Sequence, residues 1–131
     1  MEVEQLAKYV DGFVIVVPKD KIGEYQKMAE GGKEMWMKYG ALEYMECMGE
    51  DLEPKETGGV KPLGFKELTK AQPNETIWFS FIVFESKQHR DEVNAKVMEE
   101  MAKQAEEYKD FAMPFDVKRM AYGGFEAKVE G

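Results

Sequence analysis

The chain has 131 residues, 44% hydrophobic and 34% charged, and its 26 acidic and 18 basic residues give a formal net charge of -8. This length and composition predict one soluble globular domain over residues 1–131, with a core over about 8–126, and the negative charge argues against nucleic acid or anionic membranes as partners. A single cysteine, the lack of a signal-peptide pattern in residues 1–8 and the lack of any apolar run near about 18 residues predict a cytoplasmic protein.

The first predicted strand covers residues 9–17 and, apart from Asp11, is largely apolar on both faces. Pro18 cannot donate to a sheet ladder and Asp20 can cap a helix, so a helix is predicted to follow. Apolar residues then recur at intervals of three and four until Gly40, which indicates the helix end. Gly31-Gly32 interrupts this helix and indicates a kink or a close backbone contact.

A second strand is predicted over residues 41–48, and a long connection follows it. Residues 49–75 are rich in glycine, proline and charge, which indicates a loop with one short strand near residues 63–68. The acidic residues of this region lack the ordered spacing of a cation-binding loop, so we interpret them as a solvated face: Glu43, Glu46, Glu50, Asp51 and Glu53.

The third strand, residues 76–84, is apolar on both faces, and a second amphipathic helix is predicted after it. Ser86 is the predicted N-cap, and the helix is expected to end between residues 103 and 109. Residues 113–116 form a predicted turn. The last strand covers residues 118–126, where Gly123-Gly124 indicates a bulge or the close approach of another backbone.

This order of elements predicts an α+β fold, a ferredoxin-like βαββαβ antiparallel sheet with two helices on one face. The other face would be bare. About 16 side chains, each covering roughly 4.8 by 6.8 Å, would leave about 500 Å² uncovered before side-chain relief is counted. Because monomers tolerate apolar patches of about 300 to 600 Å², we predict a homodimer in which the two sheets face each other and together form a dimeric α+β barrel.

Short motifs along the chain point to one family: Tyr-Val-Asp-Gly-Phe-Val at 9–14, Gly-Ala-Leu at 40–42 with Glu46-Cys47, Phe79-Ser80, Arg90-Asp91, Asn94, Met-Pro-Phe-Asp-Val-Lys-Arg-Met at 113–120 and Tyr-Gly-Gly-Phe-Glu at 122–126. Together they resemble the YbaA-like bacterial family, catalogued as a domain of unknown function, over residues 8–126. The resemblance implies the dimeric α+β barrel fold, in agreement with the paired sheets. It implies no catalytic residue, because none is established for that family.

Six residues are candidates for lining a ligand site: Asp11, Trp78, His89, Asn94, Arg119 and Tyr122. Asp11 lies among apolar strand positions, where an unpaired carboxylate is costly. A structural partner on the adjacent last strand, such as Lys118, Arg119 or Tyr122, is one interpretation of Asp11, and a functional carboxylate is the other.

The remaining candidates also have structural alternatives. His89 is the only histidine and suits acid–base chemistry, but in a first helical turn it can equally be a surface or capping residue. Asn94 can face inward toward a ligand or a neighbouring backbone group. Trp78 suits a core or dimer contact as well as a ligand platform. Neither a metal site nor a cofactor is predicted, and the catalytic residues, if any, are unknown.

Three functional hypotheses follow. The leading one is a cytoplasmic homodimer that binds a small organic ligand between sheet and helices. A second is an oxygenase or haem-binding enzyme of the dimeric barrel type, in which Asp11, Trp78 and His89 would contribute to the site. The third is a non-enzymatic interaction or stress-related dimer with an acidic exterior, which predicts that the polar candidates are bonded to one another.

Overall fold

The computed structural model of this chain describes residues 6–131, which form a four-stranded sheet with two long helices packed on one side. The strands are β1 (Tyr9–Pro18), β2 (Glu43–Met48), β3 (Glu75–Phe84) and β4 (Ala121–Glu126), and the helices are α1 (Ile22–Lys38), α2 (Phe65–Thr69) and α3 (Lys87–Lys103). The sheet order is β2-β3-β1-β4, and all neighbouring pairs are antiparallel. This confirms the predicted ferredoxin-like α+β fold.

The core lies between the sheet and the two long helices. From β1 and β3, Ile15, Val17 and Trp78 pack against Tyr25 and Ala29 of α1. A second cluster joins β3 to α3 through Ile82, Phe84, Val93 and Val97. Because strand residues alternate in direction, the odd-numbered residues of β1 and the even-numbered residues of β3 face the helices.

The other side of the sheet, which we call the open face, carries no long helix. Its twelve uncovered positions are Val10, Gly12, Val14, Glu43, Met45, Cys47, Phe79, Phe81, Val83, Ala121, Gly123 and Phe125. Phe79 is 47% exposed and Phe125 is 61% exposed. The second apolar face expected from the sequence is therefore present in the described chain.

Residues 49–74, which we call the excursion, connect β2 to β3 and contain α2. The short strand predicted near residues 63–68 is wrong: the Leu68 N–H donates to the Gly64 carbonyl at 3.0 Å and the Thr69 hydroxyl to the Phe65 carbonyl at 2.7 Å, which is the spacing of a helical turn. Proline and glycine before this turn end any extended run, and the four residues after Gly64 have no strand to pair with.

The excursion covers one end of the open face. Val16 and Ile77 point to that face yet are only 2% and 4% exposed. At the β2 side, Gly49 N–H donates to the Ile77 carbonyl at 2.7 Å. At its other end, the Thr69 carbonyl accepts a hydrogen bond from Arg119, which lies next to β4.

The element ends correct three details of the predicted boundaries. Asp20 does not cap α1, because a 3-10 turn (Lys19–Lys21) precedes the helix and no side chain caps it. β2 begins at Glu43, later than predicted. β4 also begins later than predicted, at Ala121, because a second 3-10 turn (Val117–Arg119) occupies the start expected for this strand. The predicted Ser86 cap is confirmed: its hydroxyl accepts the His89 N–H at 3.1 Å.

Two glycine pairs allow side chains to approach the backbone. α1 runs through Gly31 and Gly32 without interruption, and a Cβ at position 32 would lie 2.8 Å from the Tyr44 hydroxyl oxygen, whereas one at position 31 would meet nothing within 4 Å. A Cβ at Gly124 would clash with the Tyr9 hydroxyl. The β1–β4 register is continuous, so the approach expected at Gly123-Gly124 is made by aromatic side chains rather than by a bulge or another backbone.

No helix within residues 6–131 is both long enough and apolar enough to cross a membrane. The lack of a signal-peptide pattern was expected for residues 1–8. Residues 1–5 of this segment lie outside the described residues.

Candidate functional site

The first polar group on the helix side is centred on Asp11, whose side chain is 2% exposed. Arg90 of α3 places Nη1 3.3 Å from Asp11 Oδ1, and Asn94, one turn further along α3, donates from Nδ2 to Asp11 Oδ2 at 3.4 Å. Asn94 Oδ1 in turn accepts the Trp36 indole N–H at 2.9 Å. We call these residues, together with Tyr9 and Tyr122, the Asp11 network.

Arg90 connects this network to the surface. Its Nη1 donates to the Tyr122 hydroxyl at 3.1 Å and its Nη2 to the Tyr9 hydroxyl at 3.3 Å, while the guanidinium lies 4.7 Å from the centre of the Tyr9 ring. The buried Nε lies 3.0 Å from Asp91 Oδ1, but its N–H is not aligned with an acceptor in the described residues. Arg90 is therefore held mainly through its two terminal nitrogens.

Burial raises the pKa of Asp11 above its ordinary value, even though Arg90 and the hydrogen bond from Asn94 act in the opposite direction. The loss of hydration thus outweighs the attraction of the guanidinium. Tyr122 also has a raised pKa, because of burial and the negative charge of Asp11. This electrostatic pattern fits a buried ion pair whose cost of desolvation is only partly offset.

The second polar group, which we call the Glu46 cluster, contains Glu46, Tyr25, Tyr44 and Ser80. Tyr25 from α1 donates its hydroxyl to Glu46 Oε1 at 2.7 Å, and Tyr44 donates to Oε2 at 2.8 Å. Ser80, the register partner of Glu46 on β3, also donates to Oε1. Three neutral hydroxyls therefore hold one half-buried carboxylate.

None of the ion pairs among residues 6–131 includes Glu46. Burial and the nearby Glu46 charge raise the pKa of both Tyr25 and Tyr44 well above the ordinary tyrosine range. Both phenols consequently stay protonated and act as hydrogen-bond donors. Because a carboxylate has about four acceptor positions, three donors leave one of them for another partner.

Trp36 links the two polar groups. Its ring centre lies 6.3 Å from that of Tyr44, and its N–H bonds Asn94. The sheet register supports the same arrangement, since Asp11 and Tyr44 both pair with Ile82 from opposite sides. The polar residues therefore run across all four strands on the side of the sheet that α1 and α3 cover.

The structure brings together three of the six sequence-predicted candidates. Arg90 bonds Asp11 and Tyr122, and Asn94 donates to the second oxygen of Asp11. Trp78 is a core residue that packs 4.7 Å from the Tyr25 ring and donates its N–H to Thr76 Oγ1 at 3.1 Å.

The other two candidates lie apart from Asp11. His89 accepts the Glu85 N–H at Nδ1, 3.0 Å away, next to the Ser86 cap. Arg119 pairs with Glu75 and with carbonyls at the end of α2. Glu75 is the register partner of Pro18, seven residues and roughly 23 Å along β1 from Asp11.

Two clefts open at the ends of the sheet. One of about 230 Å³ lies beside Tyr9, Lys87 and Glu126, and another of about 460 Å³ lies between the excursion and the start of β3. Neither borders Asp11 or Glu46. Glu46 itself is half-buried on the edge strand β2.

Sequence reasoning missed the Glu46 cluster and the central role of Arg90. Glu46 was assigned to a solvated acidic face, which is wrong for this residue, although Glu43, Glu50, Asp51 and Glu53 are indeed exposed. The alternation of β2 contained a signal, because Tyr44, Glu46 and Met48 share one face and a Glu between two large side chains is unusual on a solvated strand. The partners Tyr25 and Ser80 required knowledge of the register.

The two groups have different chemical capacities. In the Asp11 network a cation and a carboxylate neutralise each other, and the terminal nitrogens of Arg90 have protein acceptors. In the Glu46 cluster the negative charge has only dipoles around it, which suits the binding of a cation or of a strong hydrogen-bond donor. Within residues 6–131, no three His, Cys, Asp or Glu side chains are grouped as a metal site.

Comparisons with known proteins place this chain in a sequence family. The profile of the family described as "Protein of unknown function (DUF1428)" matches residues 8–117. The chain is 40% identical over 125 residues to "Uncharacterized protein YbaA" of Escherichia coli strain K12, a match that covers 94% of this chain and 98% of that protein. Proteins of the same description from Escherichia coli O157:H7 and Shigella flexneri match with the same identity and coverage.

Proposed function

The chain belongs to the DUF1428 family of proteins of unknown function, and from that premise we propose that it is a cytoplasmic homodimer that binds a small organic ligand on the helix side of its sheet. We assign the ligand-contacting group to the Glu46 carboxylate. The observation that carries this proposal is a half-buried carboxylate with three hydroxyl donors and, within residues 6–131, no ion-pair partner.

A purely structural role gives a weaker account of Glu46. Removing a charge from water without a counter-charge is unfavourable, and a glutamine or an apolar residue would fill an edge-strand position at lower cost. Tyr25 and Tyr44 orient both carboxylate oxygens, and Glu46 is only partly buried. We therefore expect a ligand with a protonated nitrogen or a strong N–H donor.

The homodimer part of the proposal is supported by the open face. Its exposed phenylalanines and Met45 form an apolar surface on the side of the sheet that neither α1 nor α3 covers. A Phe79→Asp variant places a charge at the centre of this surface. We expect the wild-type chain to sediment as a dimer at micromolar concentration and the variant as a folded monomer.

Ligand binding is tested with simple organic cations as probes. Methylammonium, guanidinium and choline are each titrated at constant ionic strength while the thermal midpoint of unfolding is followed. A probe near ten times its Kd stabilises the folded state by about 1.4 kcal/mol. Glu46→Gln keeps the size of the side chain and is expected to lose this stabilisation, whereas Asp91→Asn, which removes an exposed charge, is expected to retain it.

Acetate and chloride salts of each probe separate specific binding from salt effects. Equal stabilisation of the wild type and Glu46→Gln by every cation would contradict a ligand role for Glu46. A ligand-dependent chemical-shift change confined to Tyr25, Tyr44 and their neighbours would support it.

One observation favours the interaction hypothesis as a second candidate. The Asp11 network is bonded internally, which is the arrangement expected if these residues only stabilise the fold. If disruption of the Asp11 network leaves probe binding unchanged while Glu46→Gln abolishes it, the Asp11 network is structural and the Glu46 cluster is the binding group. The oxygenase hypothesis gains no specific support from the geometry of Asp11, Trp78 and His89, and haemin titration tests it.

A further inference from the structure

The excursion carries an apolar surface that its own chain leaves uncovered. Leu63 and Val60 are exposed, and Leu68 is 59% exposed. α2 has five residues and buries none of them. An isolated helix needs about 12 to 15 residues to be stable in water, so this turn depends on contacts outside its own backbone.

Arg119 holds the carboxyl end of α2 in place. Its Nη2 donates to the carbonyls of Thr69 at 3.3 Å and Lys70 at 3.2 Å, and its Nη1 pairs with Glu75. Lys70 has the left-handed φ of 58° that ends the helix. These bonds fix the backbone of the turn next to the open face, but they do not cover its leucines.

The area of the open face is small compared with the area that a stable dimer interface buries. Each of the twelve uncovered positions occupies about 33 Å² of flat sheet, so the face provides about 400 Å² per protomer and about 800 Å² in a pair. Stable interfaces bury about 1,200 to 2,000 Å² in total. Even with the relief added by Phe and Met side chains, the flat sheet alone is small for a stable dimer.

We propose that the excursion is the second part of the dimer interface, and that Leu63, Phe65 and Leu68 of each protomer pack against the other copy of the chain. This inference rests on the proposed homodimer. Val16 and Ile77 are buried at the end of the open face where the Gly49 N–H of the excursion bonds the Ile77 carbonyl, so the excursion lies beside the surface that the second sheet would contact. Phe79 is the next open-face residue of β3 after Ile77, so the exposed part of the open face begins beside this attachment.

The test compares dimer dissociation constants by sedimentation velocity over a dilution series. Leu68→Ser is the main variant, because it replaces an exposed apolar side chain and leaves no cavity in the core. Met98→Ser is the matched control, since Met98 has similar exposure, 53%, but lies on α3 on the helix side of the sheet. We expect Leu68→Ser to weaken the dimer about tenfold or more and Met98→Ser to leave it unchanged.

A second variant and a fold check keep the outcome clear. Phe65→Ser is expected to weaken the dimer in the same direction, and circular dichroism of each variant must match the wild type. This inference would be overturned if Phe79→Asp disrupts the dimer while Leu68→Ser and Phe65→Ser leave it unchanged. The proposed homodimer would stand in that case. A wild-type monomer at micromolar concentration would overturn both.

Discussion

Glu46 and Ser80 face each other across β2 and β3, and the Ser80 hydroxyl donates to the same carboxylate oxygen, Oε1, that accepts from Tyr25. The sheet register therefore places Ser80, the alternation of β2 places Tyr44, and α1 supplies Tyr25. This arrangement ties the geometry of a half-buried carboxylate to the packing of the core, because the Tyr25 ring also packs against Trp78 and Phe115.

Alkaline pH is expected to unfold this protein through Tyr25 and Tyr44. Both phenols have raised pKa values when folded, so above about pH 10 the unfolded chain loses protons that the folded chain retains. The free energy of unfolding then falls with rising pH, by up to about 1.4 kcal/mol per pH unit for each phenol. Urea unfolding between pH 8 and alkaline pH measures this slope, with the pH values chosen around the free tyrosine value of about 10.

Tyr25→Phe is expected to reduce that slope, and Tyr108→Phe, which changes an exposed tyrosine, is the control. Absorbance at the tyrosinate band follows the same event directly. Of the six tyrosines, Tyr25 and Tyr44 are expected to ionise only when the chain unfolds. A slope that stays unchanged in Tyr25→Phe would contradict the assignment.

The paired glycines of α1 are expected to respond oppositely to alanine. Gly31→Ala should stabilise the protein by roughly 0.5 to 1 kcal/mol, because the position is open and alanine favours helix. Gly32→Ala places a methyl group 2.8 Å from the Tyr44 hydroxyl and should displace it from Glu46. We expect a net loss of about 1 to 3 kcal/mol, the cost of a lost hydrogen bond to a half-buried charged group.

Chemical denaturation of both variants measures these changes, and each serves as the control for the other because the two sites are adjacent in one helix. Equal stabilisation by both substitutions would mean that Tyr44 moves freely and that its bond to Glu46 contributes little.

Asp11 is expected to destabilise the folded state as it ionises. Its folded pKa is raised, so the folded chain holds more protons than the unfolded chain from about the usual value of 3.8 up to the raised pKa. The contribution of Asp11 to stability is therefore full below pH 3.8 and is lost as the pH rises through that window. Asp11→Asn cannot ionise, so the stability of the wild type relative to this variant should fall across the same window.

Urea unfolding of both proteins between pH 3 and pH 7 gives this difference, with the lower limit set about one unit below the ordinary aspartate value. Asp110→Asn removes an exposed charge that is not part of the Asp11 network and controls for net charge. If the wild type instead gains stability over Asp11→Asn as the pH rises, the attraction of Arg90 dominates and the buried pair is net stabilising.

Cys47 gives an independent probe of the dimer. Its side chain is exposed on the open face of the single chain, so pairing of two sheets should shield it. We expect the rate of reaction with a thiol reagent to fall as the protein concentration is raised through the dimer Kd, and to stay high in Phe79→Asp at every concentration. If Cys47 reacts at the same rate at every protein concentration, and at the same rate in the wild type and in Phe79→Asp, then β2 is not part of the contact between the two sheets.

The fold was accessible from sequence because its signals are local. Alternation in β1 and β3, the spacing of apolar residues in α1 and the Ser86 cap each depend on near neighbours, and together they define the βαββαβ order. The excursion was partly misread because α2 is shorter than any periodic pattern. The carboxyl end of α2 is held by hydrogen bonds from Arg119, a residue about 50 positions away in the sequence.

The candidate site was less accessible for a related reason. Asp11, Asn94 and Tyr122 were recognisable as polar residues at inward positions, but no local pattern marks Arg90 as the cation that bonds Asp11 and Tyr122. Glu46 stood among other acidic residues that are exposed. The alternation of β2 puts it on the face of Tyr44, and the pairing of β2 with β3 sets Ser80 opposite it.

The positions of the two tryptophans give the protein intrinsic optical reporters. Trp78 packs at a tilt against Tyr25, which bonds Glu46, and Trp36 bonds Asn94, which bonds Asp11. Trp36 also lies beside Tyr44, which bonds Glu46. In single-tryptophan variants, fluorescence emission from Trp78 would follow events at Glu46 and emission from Trp36 would follow events at both carboxylates, without an attached dye.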